Sequence, residues 1–356
     1  TCEKEDESTV NWKERIIDEE ELNHYLKERG RTALASRVSA LIEQQRLTWP
    51  LLREGYEALS QVETKRARVE ESEVFIQHNP GRIRSTAAQV DRASISERRC
   101  FLCAANLPPE EKGVEYGSDL VILCNPFPIL DRHLSIVHRR HIEQKIDGHV
   151  ESLLSLAAGL GPDYFVLYNG PECGASAPDH FHLQACSREL LPIERDMQRD
   201  EPEQAAHCST CEENARDTFE LFTLGNCGRS VIVFRGNNDG EVAQWIYKAL
   251  GELSRETGKG EPLVNAVSTF DKGVWTVYLF PRARHRPAAF FAEGDERLLV
   301  SPGAIDMAGV VVVPQYGDFV KIDGERVTSI FAEVSCDEQA VNEILERISE
   351  SREEAW

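Results

Sequence analysis

The sequence predicts an α+β fold that is dominated by antiparallel strands. Apolar segments of strand length recur along the chain, for example DLVILC and DYFVLYNG. One longer amphipathic helix pattern interrupts them in each half, at 148–160 and at 241–258. Strands that alternate with so few helices are typical of an α+β domain. Because a strand, a helix and two strands occur in each half, two related halves are expected.

Residues 1–63 are expected to form a helical N-terminal extension. DEEELNHYLKERG begins with acidic residues and ends with Lys, Arg and Gly, as helix termini prefer. TALASRVSALIEQQRL follows with apolar residues at helical spacing. From about residue 64 the period shortens, and TKRARVEESEVFIQHNPGRI predicts two strands that end at an Asn-Pro-Gly turn.

The rest of the chain divides into three predicted parts. Residues 64–200 form a first half with a Cys-x-x-Cys and a His-x-His-x-Gln motif, and 201–224 form a polar linker. Residues 225–356 form a second half, in which RSVIVFRG, PLVNAVSTF, VWTVYLFPRAR and AGVVVVP are the predicted strands. The segment DEQAVNEILERISESREEA is predicted to close the chain as a helix.

Composition limits the classes of function. The 356 residues are 41% apolar and 28% charged, which is typical of a globular protein. A net charge of −21 argues against binding to long nucleic acids or anionic membranes, but it allows a small phosphorylated ligand. We see no transmembrane run and no signal peptide, so the ten cysteines are expected to bind metal or stay free in a cytoplasmic protein.

The segment PDHFHLQAC carries the main candidate site. His180, His182 and Gln184 occupy alternate positions, so an extended strand places all three on one face. Ordinary polar residues on a solvated face are the alternative. The strict apolar alternation and the preceding small-residue loop favour a site.

The loop before this strand is expected to approach an anion. YNGPECGASAPDH contains Asn169, Gly174 and Ser176, which are small or hydrogen-bonding residues of the kind that bring backbone N–H groups close to phosphate. A neutral imidazole is a good nucleophile toward phosphorus, and an amide two residues away can donate to the oxygens of the resulting intermediate. The segment therefore indicates phosphate chemistry.

The stretch NGPECGASAPDHFHLQ resembles the active-site segment of the histidine triad superfamily, in the branch of the galactose-1-phosphate uridylyltransferases, diadenosine tetraphosphate phosphorylases and GDP-hexose phosphorylases. NPFPILDRHLSIVHRRH is similar to a second stretch of that superfamily, although Arg132 replaces the usual Gly. The resemblance implies a histidine triad-like fold, with His182 as nucleophile and Gln184 holding the intermediate. Asn169, Gly174 and Ser176 then fall in the phosphate-contacting loop.

Cys100 and Cys103 form a Cys-x-x-Cys pair, which is a metal knuckle, a redox pair or two buried thiols. The resemblance implies a structural zinc held by the Cys pair, His141 and His180. Cys208 and Cys211 form a second pair, but a mobile surface loop is the simpler interpretation.

FPRARHRP at 280–287 is the densest basic stretch. It is interpreted either as a solvated strand end or as a clamp for distant phosphates, with Arg282 and Arg284 as the candidates. FIQHNPGRIRSTAAQVD at 75–91 is a further candidate for contacts with base or ribose.

The resemblance implies a nucleotidyltransferase or phosphorylase that acts on a nucleotide sugar or a dinucleoside polyphosphate through a nucleotidyl-histidine. The acceptor is then inorganic phosphate or a sugar phosphate, and no organic cofactor is needed. A dinucleoside polyphosphate hydrolase and a non-catalytic nucleotide-binding protein are the alternatives. The families concerned include both monomers and dimers, so a homodimer is possible.

Overall fold

The structure is a computed structural model that describes residues 12–26, 32–87, 94–95, 98–199, 218–258 and 260–353. Its strands are β1 (Glu63–Val69), β2 (Ser72–His78), β3 (Gly113–Tyr116), β4 (Leu120–Cys124), β5 (Leu134–His138), β6 (Tyr164–Asn169), β7 (His182–Ser187), β8 (Phe219–Thr223), β9 (Ile232–Gly236), β10 (Val264–Asp271), β11 (Val274–Pro281) and β12 (Val310–Val313). Its α-helices are α1 (Trp12–Arg15), α2 (Glu19–Asn23), α3 (Ala33–Thr48), α4 (Pro50–Leu59), α5 (Ile83–Thr86), α6 (Val150–Leu160), α7 (Ile193–Arg199), α8 (Asp239–Thr257), α9 (Ala288–Phe291), α10 (Ala304–Met307), α11 (Tyr316–Lys321), α12 (Gly324–Val334) and α13 (Glu338–Glu353).

Nine strands form one antiparallel sheet in the order β3-β4-β5-β7-β6-β10-β11-β9-β8. The other strands form a small sheet in the order β1-β2-β12, in which β12 runs parallel to β2. The predicted α+β class with antiparallel sheets and flanking helices is confirmed.

The large sheet contains the same strand order twice. β4 and β5 precede α6, β6 and β7 follow it, and their spatial order is β4-β5-β7-β6. β8 and β9 precede α8, β10 and β11 follow it, and their order is β8-β9-β11-β10. The two sets meet where β6 pairs with β10, from Asn169 opposite Asn265 to Val166 opposite Ser268. This matching order supports our proposal that the chain contains two related halves.

Both faces of the large sheet are buried. Val166 packs in a core with α3, α6 and α8, whereas Phe165 and Leu167 pack in a second core with the small sheet and α12. Successive side chains of a strand point to opposite faces, which explains this division. The strands are therefore apolar on both sides, and the polar residues on them need a specific explanation.

Three elements differ from the expectations. The short edge strands β3 and β8 carry too few residues for a clear periodic pattern, and β8 lies within the predicted 201–224 linker. α7 forms in a segment whose sequence is mostly polar, because Ile193 is buried and Asp196 pairs with the buried Arg229 at 3.3 Å.

Among the described residues, no helix is long and apolar enough to cross a bilayer.

Candidate active site

β7 has the alternation that its sequence predicts. Leu183 and Ala185 point into the core beneath α6, and Cys186 points into the core on the opposite face. His182 and Gln184 share the face of Cys186 because they lie at alternate positions of the strand. The two candidate catalytic side chains therefore lie on the face of the large sheet that also carries Cys186.

His182 is held as a neutral imidazole with a defined tautomer. Its Nδ1 is 2.9 Å from the carbonyl oxygen of His180, so Nδ1 carries the proton and donates to that oxygen. Burial lowers the pKa of His182 to about 4, since a charged ring loses hydration there. The lone pair on Nε2 remains for a nucleophilic attack.

The His182 main chain is fixed by Gln144, a buried residue in the segment between β5 and α6. Its Oε1 accepts from the N–H of His182 at 2.8 Å. Its Nε2 donates to the carbonyl oxygens of His182 at 3.0 Å and of Asn169 at 2.9 Å. The carboxamide thus lies where β6 and β7 separate and bridges the two strands.

His133 orients the side chain of Gln184. The N–H of Ile129 donates to His133 Nδ1 at 3.2 Å, so the ring proton is on Nε2. Nε2 lies 2.8 Å from Oε1 of Gln184 and donates to it. Burial lowers the pKa of His133 to about 3 and keeps the ring neutral. Because Oε1 of Gln184 accepts this bond from His133, the NH₂ group of the same carboxamide points away from His133.

Asn169 is oriented in the same way. Its Oδ1 accepts from Nδ2 of Asn265 at 2.8 Å and from the N–H of Ala304 at 2.7 Å. Nδ2 of Asn169 is therefore the end of this carboxamide that is left to donate. Asn265 is held in turn by Arg282 and by the carbonyl oxygen of Cys173. Two carboxamides thus present donors, not acceptors, to the space between them.

That space is a cavity lined by residues from both halves of the chain. Asn169, Gly174, Ala175, Ser176 and Gln184 line it from the first half. Further lining residues come from other parts of the chain: Arg82, Thr86, Ile129, His285, Arg286, Ser301, Gly303, Ala304, Ile305, Asp306 and Val312. His182 lies beside the cavity, two residues from Gln184 on the same strand face.

Close backbone contacts shape the loop before β7. Gly174 has a φ of +95°, which favours glycine, and a Cβ there would lie 2.9 Å from Cα of Gly303. A Cβ on Gly303 would lie 3.0 Å from Oδ1 of Asn169. The loop therefore packs directly on the start of α10, and the predicted residues Asn169, Gly174 and Ser176 meet at one cavity.

The cavity is rich in positive charge. Arg82 lines it, and burial lowers its pKa to about 10, which still leaves the guanidinium protonated at neutral pH. Arg286 lines it as well, whereas burial lowers the pKa of His285 to about 4 and keeps that ring neutral. The carboxylate of Asp306 accepts from the N–H groups of Gly303 and Val312 at 2.9 and 2.8 Å.

The two predicted arginines of the basic stretch lie elsewhere. Arg282 is buried, and its guanidinium donates to Asn265 and to the carbonyl oxygens of Val334, Pro302, Arg284 and His285. Arg284 lies on the surface and pairs with Glu333 at 2.7 Å. Neither residue lines the cavity, whereas their neighbour Arg286 does. β11 ends at Pro281, so the segment that follows is not a strand and strand alternation does not decide which of its arginines reaches the cavity.

A second cluster adjoins the strand start. The ligand atoms of Cys100, Cys103, His141 and His180 all lie within 4.8 Å of one another. Sγ of Cys100 is 3.2 Å from Nδ1 of His180, and Sγ of Cys103 is 3.3 Å from Nδ1 of His141. Nε2 of His180 donates to the carbonyl oxygen of His138 at 2.7 Å, which leaves its Nδ1 lone pair facing the sulfurs.

This cluster fits a tetrahedral metal ion. Zinc bonds of about 2.0 to 2.3 Å put neighbouring ligand atoms somewhat over 3 Å apart. The three Cys–His pairs at 3.2, 3.3 and 3.5 Å agree with such a site. Two thiols and two imidazoles are a ligand set that zinc prefers. Cys208 and Cys211, the other candidate pair, lie outside the described residues.

Comparison with solved structures identifies the fold. Yeast Ap4A phosphorylase Apa2 in complex with AMP superimposes with a TM-score of 0.55 at 14% identity, over 84% of this chain and 96% of that chain. Its complex with Ap4A gives a TM-score of 0.51 at 12% identity, over 83% and 97%. The chain has a histidine triad-like fold.

Sequence comparisons add less. Residues 41–187, which include both motifs of the first half, match the profile of a domain family of unknown function, DUF4922. No curated protein matches the chain in sequence. The histidine triad-like fold predicted from the sequence motifs is thus confirmed by the comparison with solved structures.

Several residues of the site have no signal in the sequence motifs. His133 lies in the second stretch that resembles the superfamily, but the sequence assigns it no role, and Arg82 falls in the 75–91 segment, for which only base or ribose contacts are expected. Gln144 and Asn265 belong to no recognised pattern. Each contributes through contacts with residues more than 20 positions away.

Proposed function

We propose that this protein transfers a nucleoside monophosphate between phosphate-type groups through a covalent nucleotidyl-histidine on His182. The observation that carries the proposal is the pair of oriented carboxamides. Asn169 and Gln184 have their oxygens bonded to other groups, so both direct donors into one cavity next to a neutral histidine. Such a cavity favours an anion with several oxygens, which describes a phosphate diester in transfer.

The first step forms a bond between Nε2 of His182 and the α-phosphorus of the donor substrate. The bond from that phosphorus to its bridging oxygen breaks, and the electron pair leaves on the phosphate-bearing leaving group. Nδ1–H donates to the carbonyl oxygen of His180 and stabilises the charge that develops on the ring. The leaving oxygen belongs to a low-pKa phosphate, so positioning and charge stabilisation supply most of the rate.

In the second step an oxygen of the acceptor attacks the same phosphorus, and the bond to Nε2 breaks. The acceptor is inorganic phosphate or a sugar phosphate, and the donor is a nucleotide sugar or a dinucleoside polyphosphate. The yeast phosphorylase with this fold has been crystallised with AMP and with Ap4A, which makes Ap4A a suitable first substrate to test here.

The Cys and His cluster is proposed to hold a structural zinc. Cys100, Cys103, His141 and His180 would ligate it, and its binding would fix the start of β7 through His180. Nδ1 of His182 donates to the carbonyl oxygen of His180, so the ligand set would also stabilise the tautomer of the nucleophile.

The test is a turnover screen. The protein is incubated with dinucleoside polyphosphates and nucleotide sugars, with and without inorganic phosphate, and the products are separated by anion exchange. Phosphate-dependent release of a nucleoside diphosphate that is lost in His182→Ala is the expected result. Release of the monophosphate without phosphate would identify a hydrolase. Tight binding without turnover would identify a nucleotide-binding protein, and activity retained in His182→Ala would exclude this nucleophile.

A further inference from the structure

Polar side chains make up much of the cavity wall, and those near the proposed nucleophile follow an order along β7. His182, Gln184 and Cys186 occupy successive positions on the same strand face. Arg82 lines the cavity together with Gln184, and its Nη1 donates to the carbonyl oxygen of Phe127 at 2.9 Å. Phe127 belongs to the turn that leads to His133, and the next residue, Leu134, pairs with Ala185 of β7. Arg82 therefore lies on the Cys186 side of Gln184, and the nucleophile lies on the opposite side.

Arg286 reaches the same part of the cavity from a different segment. Its Nε donates to Oγ of Ser301 at 3.0 Å, and its Nη2 donates to the carbonyl oxygen of Thr86 at 3.3 Å. Its guanidinium carbon lies 4.1 Å from the ring centroid of Phe290. Thr86 and Ser301 both line the cavity, so the plane of this guanidinium is held in place at the cavity wall.

The geometry of in-line transfer determines which part of the substrate lies in this region of the cavity. The bond that breaks lies opposite the attacking atom. If the α-phosphate is held by Asn169 and Gln184 beside His182, the leaving group extends away from the nucleophile, toward Arg82 and Arg286. We infer that these two arginines bind successive phosphates of the leaving group, so that the donor is a dinucleoside polyphosphate and not a nucleotide sugar. This inference rests on the proposed function and selects between its two substrate classes.

The chemistry of the wall favours phosphates over a hexose. Each guanidinium offers a planar fork that matches a phosphate, and two of them suit two phosphates in series. Sugar hydroxyls need acceptors. Among the described residues that line the cavity, Asp306 is the single carboxylate, and both its oxygens accept backbone N–H groups.

The inference is tested first by binding, with inorganic anions that carry no base. Phosphate, pyrophosphate and tripolyphosphate are titrated calorimetrically into the wild-type protein, Arg286→Gln and Arg284→Gln. Arg284 is the matched control, because it lies two residues away, pairs with Glu333 and does not line the cavity. Tripolyphosphate is expected to bind at least about tenfold more tightly than phosphate, and Arg286→Gln is expected to remove that gain.

Equal binding of the three anions, or a tripolyphosphate affinity that is the same in Arg286→Gln, would overturn the inference. Folding of each variant is checked by its thermal unfolding midpoint. Arg82→Lys, which keeps the charge but not the fork, provides a second variant and is expected to weaken tripolyphosphate binding at least about tenfold as well.

Turnover is measured second. kcat/KM is compared for dinucleoside compounds with three and four phosphates and for hexose nucleotides with the same base. The polyphosphates are expected to be the better donors, and Arg286→Gln is expected to lower kcat/KM more for them than for the hexose nucleotides. Preferred use of a nucleotide sugar would contradict the inference and leave His182 chemistry intact. Selective tripolyphosphate binding without any nucleotidyl transfer would uphold the anion site and reject the proposed function.

Discussion

Gln144 bonds both the N–H and the carbonyl oxygen of His182, at 2.8 and 3.0 Å. Its third bond goes to the carbonyl oxygen of Asn169, which would face His182 if the pairing of β6 and β7 continued. One side chain thus replaces the backbone pairing between His182, the proposed nucleophile, and Asn169, which is proposed to donate a hydrogen bond to the phosphate. It keeps the two strands apart where the cavity begins.

Replacing Gln144 by Met is expected to lower kcat about tenfold or more, since a misplaced nucleophile loses its near-attack geometry. The same change leaves buried main-chain groups unpaired and costs about 1 to 3 kcal/mol of unfolding free energy per group. Single-turnover formation of nucleotidyl enzyme measures the first effect, and denaturant unfolding measures the second.

Gln45→Met is the matched control for this variant. Gln45 is also buried, and its carboxamide bonds the main chain of Glu110 and Lys112. It is expected to lose stability to a similar degree while the nucleotidylation rate of the folded fraction stays near that of the wild type. An equal loss of rate in both variants would show that Gln144 acts through stability alone.

His133→Phe is expected to reduce turnover because the Gln184 carboxamide then loses the donor that fixes its orientation. Loss of one oxyanion donor typically costs about 10²- to 10³-fold in kcat, and misorientation of one should cost no more than that. His133→Gln, which can still donate near the same place, is expected to recover part of the rate. Rates are compared at saturating substrate, and wild-type kcat in His133→Phe would show that His133 does not position Gln184.

The proposed roles on β7 could be predicted from the sequence because the pattern that indicates them lies within one short segment. His182 and Gln184 were predicted because they alternate with the apolar Leu183 and Ala185, which makes the strand period visible within a few residues. The loop from Asn169 to Ser176 was predicted because small residues cluster there.

The rest of the site depends on contacts between distant segments. Arg82 and Arg286 reach one cavity from positions 204 residues apart, and nothing local distinguishes Arg286 from Arg284 in sequence. The sequence predicts that Arg282 binds a ligand. In the structure it is buried under α12, and its N–H groups donate to carbonyl oxygens. Only tertiary packing decides among such residues.

Acid is expected to unfold the protein before it protonates the nucleophile in the folded state. The pKa of His182 falls to about 4, that of His133 to about 3 and that of His285 to about 4, each mainly by burial, against an ordinary value of about 6.5. Between about 6.5 and these values the unfolded chain binds more protons, so stability falls as pH falls through that window.

The rate of His182 nucleotidylation should stay constant well below pH 6 in the folded protein, because the ring is still neutral there. Rapid-quench measurement of the nucleotidyl enzyme from pH 4.5 to 8 checks this, with the unfolding midpoint recorded at each pH. An acid limb of the rate near pH 6.5, seen while the protein remains folded, would contradict the buried neutral histidine.

Gly303→Ala is expected to reduce activity with little global unfolding. The new Cβ would lie 3.0 Å from Oδ1 of Asn169, so this oxygen must shift by a few tenths of an ångström, which changes its bonds to Asn265 and Ala304. Gly317→Ala is the control, because a Cβ there meets nothing within 4 Å and α11 gains up to about 1 kcal/mol of helix propensity. A kcat for Gly303→Ala equal to that of Gly317→Ala would show that Asn169 is not an essential donor.

Removal of metal is expected to lower both stability and rate, because His180 joins the ligand cluster to the Nδ1 proton of His182. Metal content is measured on the purified protein and on a Cys100→Ser, Cys103→Ser double variant, which should lose about one zinc per chain if the site is tetrahedral. Cys124→Ser is the control, since that buried thiol lies outside the cluster. A double variant that retains its full metal would refute the assignment. One that loses its metal but keeps the wild-type nucleotidylation rate would separate the metal from the orientation of His182.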